Sequence, residues 1–440
     1  MDPTTSSSQR TRLILTLVVA GEAVYGLPFI VARVFRPTLL DVFEITNLQL
    51  GSAFSVYGIV AMLAYFPGGP LADRFSPRWL MATALALTSV GGVYYAAVPS
   101  ITGLTLLFGF WGISTILLFW AALIRATREW GGDARQGAGF GILDGGRGLF
   151  AALLASVTVA VFDALLPTDV ASATLEQRGE AIRLVILIFT AMTAAVAVLV
   201  LFCVPDGDFK KSTRATDRRS LRSTGRLLKN PAVWLQGVIV LCAYTGYKGA
   251  DDFGLYSRDA FGFDDVKSAQ LSTLSLWVRP FAALAAGLLA DRIPASRAVL
   301  YCFLAVAIGD LVVAVGLLSP SMLWMLYITI AGTSAGVYGL RGVYFALFND
   351  ARVPRAVTGA AVGLVSVIGY TPDIFMGPIM GYLTGKYTGA TGHQYLFGVL
   401  AGFAVLGIIA TVLFQRVARR FDQKQHCEAG VRDIDNPANA

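Results

Sequence analysis

The chain has 440 residues, of which 55% are hydrophobic and only 14% carry a charge. Soluble domains contain about 25% charged residues, so this composition excludes an ordinary soluble protein and favours a chain that spans a membrane. A formal net charge of +7 would also suit a nucleic-acid partner. The Lys and Arg residues instead gather between apolar runs, as an anionic inner leaflet favours, so we expect no nucleic-acid partner.

Apolar runs of about 20 residues, long enough to cross a bilayer, follow one another along the chain. Six precede a polar stretch at 205–230 and six follow it. They cover residues 13–35, 48–68, 78–98, 101–125, 137–163 and 181–204, then 231–256, 267–290, 296–318, 321–346, 355–385 and 392–415. The sequence therefore predicts an all-α membrane protein of twelve transmembrane helices in two six-helix bundles.

The polar segments divide the chain and orient it. We predict a tail at 1–11, an N-terminal bundle at 12–204, a basic linker at 205–230, a C-terminal bundle at 231–415 and a tail at 416–440. The linker contains eight Lys and Arg residues against three Asp residues. The positive-inside rule then places both termini and the linker in the cytoplasm, with the bundles in the inner (plasma) membrane.

A polar turn after the second apolar run is repeated after the eighth. Its members are Gly69, Asp73, Arg74 and Arg78 in the first copy and Gly287, Asp291, Arg292 and Arg297 in the second. Asp291 follows Asp73 by 218 residues, about half the chain length. A repeat at half-length in a membrane-like sequence is typical of a duplicated transporter.

Twelve spans in two halves, with this turn after spans two and eight, resemble the major facilitator superfamily over roughly 12–415. The turn pattern of that family is G-x-x-x-D-R/K-x-G-R/K-R/K, and Ser76 stands where the family has its second glycine. The resemblance implies that Asp73 meets the start of span eleven near Pro354, as a latch that favours the outward-open state, and that Asp291 holds span five similarly. The alternative is a turn that only orients two helices.

Ten ionisable residues lie inside predicted spans, where each costs about 2.5–3.5 kcal/mol unless it faces a cavity or a partner. In the family that the chain resembles, spans one, four, seven and ten line the central path, and spans two, five, eight and eleven flank it. Nine of the ten residues fall on these spans, and only the span-nine residue does not. The ten are Glu22, Asp144, Arg147, Lys248, Asp251, Asp252, Arg279, Asp310, Arg341 and Asp373.

Arginines at depth are the strongest candidates for substrate binding. Arg341 and Arg279 have no acidic residue within one helical turn, and a guanidinium presents a planar fork that suits a carboxylate or phosphate. Arg147 and Lys248 are the further basic candidates. Tyr25 and Tyr247, at similar places in spans one and seven, are the aromatic candidates.

The carboxylates have two interpretations each. Glu22, Asp144 and Asp373 are candidate proton carriers, because a desolvated carboxylate can titrate near neutral pH. Asp144 lies three residues before Arg147, so a self-neutralised ion pair is the alternative there, and a permanent salt bridge is the alternative for Glu22 and Asp373. We expect Asp252 to be a solvated or gating charge.

Several functional classes are disfavoured by what the sequence lacks. No phosphate-binding loop, no Cys/His metal spacing and no catalytic constellation in a soluble domain are present, so we expect neither ATP-driven transport, nor a metal or cofactor, nor an enzyme. Span four has no deep Arg and span five no proline, unlike the drug/proton antiporters of the family.

We predict a monomeric secondary transporter of a small organic anion or zwitterionic metabolite, coupled to protons and working by alternating access. One alternative is efflux of a toxic amphipathic compound or drug. The other is a membrane receptor that transports nothing.

Overall fold

The computed structural model describes residues 7–131, 136–206, 230–350 and 358–434. Most of the predicted linker, and residues 351–357 with Pro354, lie outside these ranges. Within them, every regular element is a helix.

The helices of the first half follow the predicted spans. They are α1 (Ser8–Val34), α2 (Arg36–Val42), α3 (Asn47–Arg74), α4 (Pro77–Ala96), α5 (Ile101–Gly131), α6 (Gln136–Leu165) and α7 (Leu175–Cys203). Helix α2 is a short element that follows α1 directly.

The helices of the second half complete the set. They are α8 (Pro231–Gly249), α9 (Phe253–Phe261), α10 (Asp265–Arg292), α11 (Ala295–Ala314), α12 (Leu323–Ala346), α13 (Thr358–Gly369), α14 (Pro372–Lys386) and α15 (Ala390–Ile434). Among the described residues, ten helices are long and apolar enough to cross a membrane. The pairs α8–α9 and α13–α14 supply the other two spans. Helix α15 continues into the predicted tail, because an established helix needs no new nucleus to extend.

Helix boundaries repeat with the same 218-residue offset as the polar turn. Helix α10 begins and ends 218 residues after α3, and α11 begins and ends 218 residues after α4. The residues before α3 and α10, Thr46 and Asp264, both accept a hydrogen bond from the backbone N–H three residues later. Such N-caps fix where a helix starts. The two halves therefore share one structural repeat over these helices.

Helix irregularities fall on spans that the sequence predicts to line or flank the central path. Helix α1 widens into a π-turn at Gly26–Ile30, around Pro28, which has no backbone N–H to donate. Helix α5 contains a second π-turn at Ile113–Trp120. A 3₁₀ turn at Ala250–Asp252 separates α8 from α9. Irregular turns of this kind often lie at functional sites.

The two halves touch at one face of the bundle and separate at the other. We call the face where α1 begins the terminal face. Near the opposite face, α3 crosses α14 with the backbones of Gly51 and Gly377 in contact. Near the terminal face, a Cβ added to Gly69 or Gly287 would meet open space. Among the described residues, the halves are therefore in close contact at the opposite face, and no such crossing is found at the terminal face, which we call open.

The crossing of α3 and α14 predicts a stability difference between two Gly-to-Ala variants. In Gly51→Ala, the new methyl group must displace the Gly377 backbone, which costs about 1–3 kcal/mol. We therefore expect a lower Tm in thermal unfolding of the purified protein, followed by Trp fluorescence. Gly402→Ala on α15, where a Cβ meets open space, is the matched control and should keep or raise the Tm. Equal Tm values for the two variants would contradict this crossing.

Candidate functional site

A cavity lies between the two halves, with an empty volume of about 1030 Å³ counted out to open solvent. Helices α1, α3, α5 and α6 of the first half and α8, α10, α12, α13 and α14 of the second half contribute to its wall. Its charged lining residues are Glu22, Arg33, Arg147, Arg279, Arg341 and Asp373.

Glu22 joins the two halves through two guanidinium groups. Its Oε2 accepts a hydrogen bond from Arg147 Nε, within the first half, at 3.1 Å. Its Oε1 accepts from Arg279 Nη1, in the second half, also at 3.1 Å. The Glu22 side chain is only 5% exposed. The structure therefore brings three predicted site residues together as a buried bridge between the halves.

Asp144 lies at the edge of this bridge. Its Oδ1 is 3.5 Å from Arg279 Nη2 and 3.9 Å from Arg147 Nη1, and the side chain is 38% exposed. The ion pair that the spacing of Asp144 and Arg147 suggests is thus a loose one. Both arginines are held more closely by Glu22.

A second charged cluster lies nearer the opposite face. Asp251 is 3.2 Å from Lys248 Nζ through one oxygen and 2.5 Å from Arg33 Nε through the other. Lys248 Nζ is also 3.4 Å from Asp373. The Tyr244 hydroxyl donates to the two oxygens of Asp373 at 3.2 and 3.1 Å. These groups neutralise one another at the closed end of the cavity.

Arg33 is a site residue that the sequence analysis missed, although it lies inside the first predicted span. Arg33 and Asp251 are 218 residues apart, which is the repeat offset. Equivalent positions of a two-fold repeat meet only near the symmetry axis, so this ion pair lies close to the pseudo-dyad that relates the halves. The sequence contained a signal for this pair, namely opposite charges at matching positions of the two repeats.

Arg341 differs from the other cations in the cavity. No carboxylate oxygen of a described residue lies within 4.0 Å of it. Its guanidinium carbon lies 4.1 Å from the centroid of the Tyr247 ring and 5.9 Å from that of Tyr244. A guanidinium over an aromatic face is stabilised by the ring and keeps in-plane donors for a planar acceptor.

Aromatic side chains form much of the remaining wall. The guanidinium carbon of Arg147 lies 5.5 Å from the centroid of the Tyr25 ring. Tyr65 and Tyr370, from opposite halves, have near-parallel rings whose centroids are 6.5 Å apart. By the repeat offset, Phe29 corresponds to Tyr247, and Tyr25 lies about one helical turn before that position.

Asp252 is not the solvated charge that the sequence analysis expects. It is fully buried, and its Oδ2 is 2.6 Å from Nδ1 of His393, whose Nε2 is 3.2 Å from Asp259. Arg258 contacts Asp259 and also Asp41 of the first half, at 3.0 Å. Adjacent acids cannot share a helix face, and the 3₁₀ turn directs Asp251 and Asp252 to different partners. The second acid therefore belongs to an ion network at the closed face.

The predicted gating turns lie at the terminal face, away from the cavity. Gly69, Asp73 and Arg74 end α3, Arg78 begins α4, and Asp291 and Arg292 end α10. Both Asp side chains are exposed, and neither forms an ion pair with a residue that the structure describes. The predicted partner of Asp73, near Pro354, lies outside the described residues, so the latch stays a prediction.

The chain matches a known family over most of its length. The sequence profile of the Major Facilitator Superfamily matches residues 18–372. The chain belongs to this superfamily. The inner membrane protein YihN of Escherichia coli (strain K12) is 26% identical over 435 residues, which cover 96% of this chain and all of that relative. The inner membrane protein YqcE of the same organism is 25% identical over 390 residues, 84% of this chain and 87% of the relative.

Solved structures show the same fold. A bacterial homologue of the human lysosomal transporter Spinster, in an inward-facing and unoccupied conformation, superposes with a TM-score of 0.71 at 16% identity, over 95% of this chain and 99% of that one. The nucleoside transporter NupG gives a TM-score of 0.66 at 15% identity, over 92% and 98% of the two chains. At such identities the likeness shows the fold alone. The predicted twelve-helix fold is confirmed, and the protein is a multi-pass inner-membrane transporter rather than an enzyme.

The Arg33–Asp251 pair predicts non-additive effects on stability. Asp251→Asn leaves Arg33 and Lys248 with less negative charge around them, and an uncompensated buried charge costs about 3–5 kcal/mol. Adding Arg33→Met removes the surplus positive charge, and Lys248 still pairs with Asp373. We therefore expect the double variant to have a higher Tm than Asp251→Asn alone.

Glu129→Gln serves as the control for this cycle, because Glu129 is 51% exposed in an i,i+4 pair on the surface. Its effect should be within about 1 kcal/mol of zero. Additive losses from Asp251→Asn and Arg33→Met would show that the two side chains are not coupled.

Proposed function

We propose that the protein is a proton-coupled secondary transporter of a small organic anion or zwitterion, and that Arg341 binds the negative group of the cargo. One observation carries this proposal: the Arg341 guanidinium lies in the cavity with no described carboxylate within 4.0 Å. The other arginines of the lining, Arg33, Arg147 and Arg279, each contact a carboxylate. A desolvated charge without a partner is unfavourable, so an anionic cargo would be attracted to this position.

The other predicted binding residues surround this group in supporting roles. Tyr247 lies against the Arg341 guanidinium and would contact the cargo next to its charged group. Tyr25 lines the other half of the cavity. Arg147 and Arg279 already share Glu22, and Lys248 already pairs with two carboxylates, so these three would bind cargo only by exchanging partners.

The open terminal face corresponds to an inward-open state if the termini are cytoplasmic, as the positive-inside rule predicts. Transport would then require the halves to rock about the cavity. The contact of Gly51 with Gly377 and the Arg258–Asp41 ion pair would separate, and the turns at Asp73 and Asp291 would approach the facing helices.

Asp144 is the best placed of the three predicted proton carriers. Its side chain is 38% exposed, whereas those of Glu22 and Asp373 are 5% and 14% exposed. Its arginine contacts are also longer than those of Glu22. A proton arriving through the cavity would reach Asp144 first, and neutral Asp144 would weaken its link to Arg279 in the other half.

A binding experiment tests the role of Arg341. Purified protein is heated with benzoate, glucuronate, phthalate or glucose 6-phosphate, since a ligand that binds the folded state raises the Tm by mass action. We expect at least one of these anions to stabilise the wild type, and Arg341→Met to abolish that stabilisation. Arg183→Met, which removes an exposed Arg of α7 outside the cavity, should respond like the wild type. An unchanged response of Arg341→Met would contradict the proposal.

Proton coupling is tested in proteoliposomes that contain a pH-sensitive dye, with whichever of these anions stabilises the protein. An inward anion gradient should acidify the lumen of wild-type vesicles as protons enter with the anion. Asp144→Asn should keep exchange of labelled for unlabelled anion and lose the pH change. Proton entry that persists in Asp144→Asn would remove Asp144 from this role.

A further inference from the structure

We infer that the cavity selects a monoanion, namely a carboxylic acid with a single negative charge on a ring-shaped body. This inference rests on the proposed function, in which Arg341 binds the anionic group of the cargo. It adds a limit on the charge of the cargo and on the shape of its uncharged part.

The charges around the cavity do not cancel. The charged side chains of the lining, together with the described charged side chains that lie within 4.0 Å of them, comprise five cations and four carboxylates. They are Arg33, Arg147, Lys248, Arg279 and Arg341 against Glu22, Asp144, Asp251 and Asp373. Each of the four carboxylates lies within 4.0 Å of at least one cation of the set. The single excess positive charge therefore belongs to Arg341.

Two other buried charges near the closed end do not alter the count for the cavity. Arg36 and Asp252 carry opposite signs, are not part of the cavity wall and form no ion pair with a member of the set. Arg36 donates to Asn47 and Asp252 contacts His393. They are held by partners of their own.

The balance favours one negative charge on the cargo. Uncompensated charge in a poorly solvated site carries a large desolvation penalty. A monoanion at Arg341 brings the set to neutrality. With a dianion bound, the set and its cargo would carry one net negative charge. With a neutral or zwitterionic molecule bound, they would keep the excess positive charge. The site thus discriminates by net charge, even though it contains five cations.

The wall next to Arg341 favours a ring. Tyr244 and Tyr247 lie against its guanidinium, and the near-parallel rings of Tyr65 and Tyr370 face the cavity from opposite halves. Aromatic faces pack well against flat rings and against the apolar faces of sugar rings. The hydroxyl groups of these tyrosines offer donors and acceptors at the ring edge. A carboxylate fits the planar donor fork of Arg341.

Two matched series of compounds test the inference at a pH where every acid is fully ionised. The series are benzamide, benzoate and phthalate, and glucose, glucuronate and glucose 6-phosphate, with zero, one and two negative charges. Dissociation constants come from the dependence of Tm on ligand concentration. In at least one series we expect the monoanion to bind at least about tenfold more tightly than the neutral compound and the dianion.

The outcomes separate the inference from the proposed function. If a dianion binds as tightly as the monoanion of its series, and if Arg341→Met abolishes the binding of both, the inference is overturned and the proposed function stands. Binding that survives in Arg341→Met, or no binding of any anion, would overturn both.

Charge-removing variants provide a second test that a purely structural role would not mimic. Glu22→Gln raises the excess to two positive charges, so the ratio of dianion to monoanion affinity should rise about tenfold or more. Asp144→Asn makes the same charge change at a more exposed side chain and serves if Glu22→Gln does not fold. Glu129→Gln, outside the cavity, removes the same charge and should leave the ratio unchanged. A ratio that stays constant in both cavity variants would contradict selection by charge balance.

Discussion

The compensation of charge inside an apolar bundle is the constraint on which the rest of this structure depends. An ion at mid-membrane persists only if it meets a counter-ion or water. Glu22 meets two guanidinium groups, and Asp251 meets Arg33 and Lys248. These pairs cluster where the two halves face each other, so the groups that are most costly to bury mark the interface between the halves.

The position of these pairs links stability to movement. Glu22 bonds to an arginine of each half, and the Arg33–Asp251 pair joins matching positions of the repeat near its pseudo-dyad. Rocking of the halves must therefore exchange ion-pair partners rather than merely slide apolar surfaces. A cavity that contains one unpaired cation can lower the cost of such an exchange when an anion supplies the missing charge. Cargo binding and rearrangement would then depend on the same charge balance.

Sequence reasoning reached the architecture because each of its signals is local or periodic. Apolar runs showed the spans, and the turns at Asp73 and Asp291 showed the 218-residue repeat. The partners of the buried ions could not be predicted from the sequence, because Glu22 and Arg279 come together only through helix packing. Arg33 was missed since it stands near the end of an apolar run. The environment of Asp252 was wrong because a 3₁₀ turn, which composition does not reveal, turns it toward His393.

The central claim is that buried ions surround an aqueous cavity open toward the terminal face, and cysteine accessibility tests it most directly. Ser366→Cys places a thiol in the cavity wall, in a chain whose four natural cysteines are replaced by Ser. A membrane-impermeant thiol reagent should label it faster in inside-out than in right-side-out vesicles, and should leave Leu304→Cys, at an exposed apolar position of α11, unlabelled. Absence of labelling at the introduced thiol of position 366 from either side, or faster labelling in right-side-out vesicles, would contradict the account.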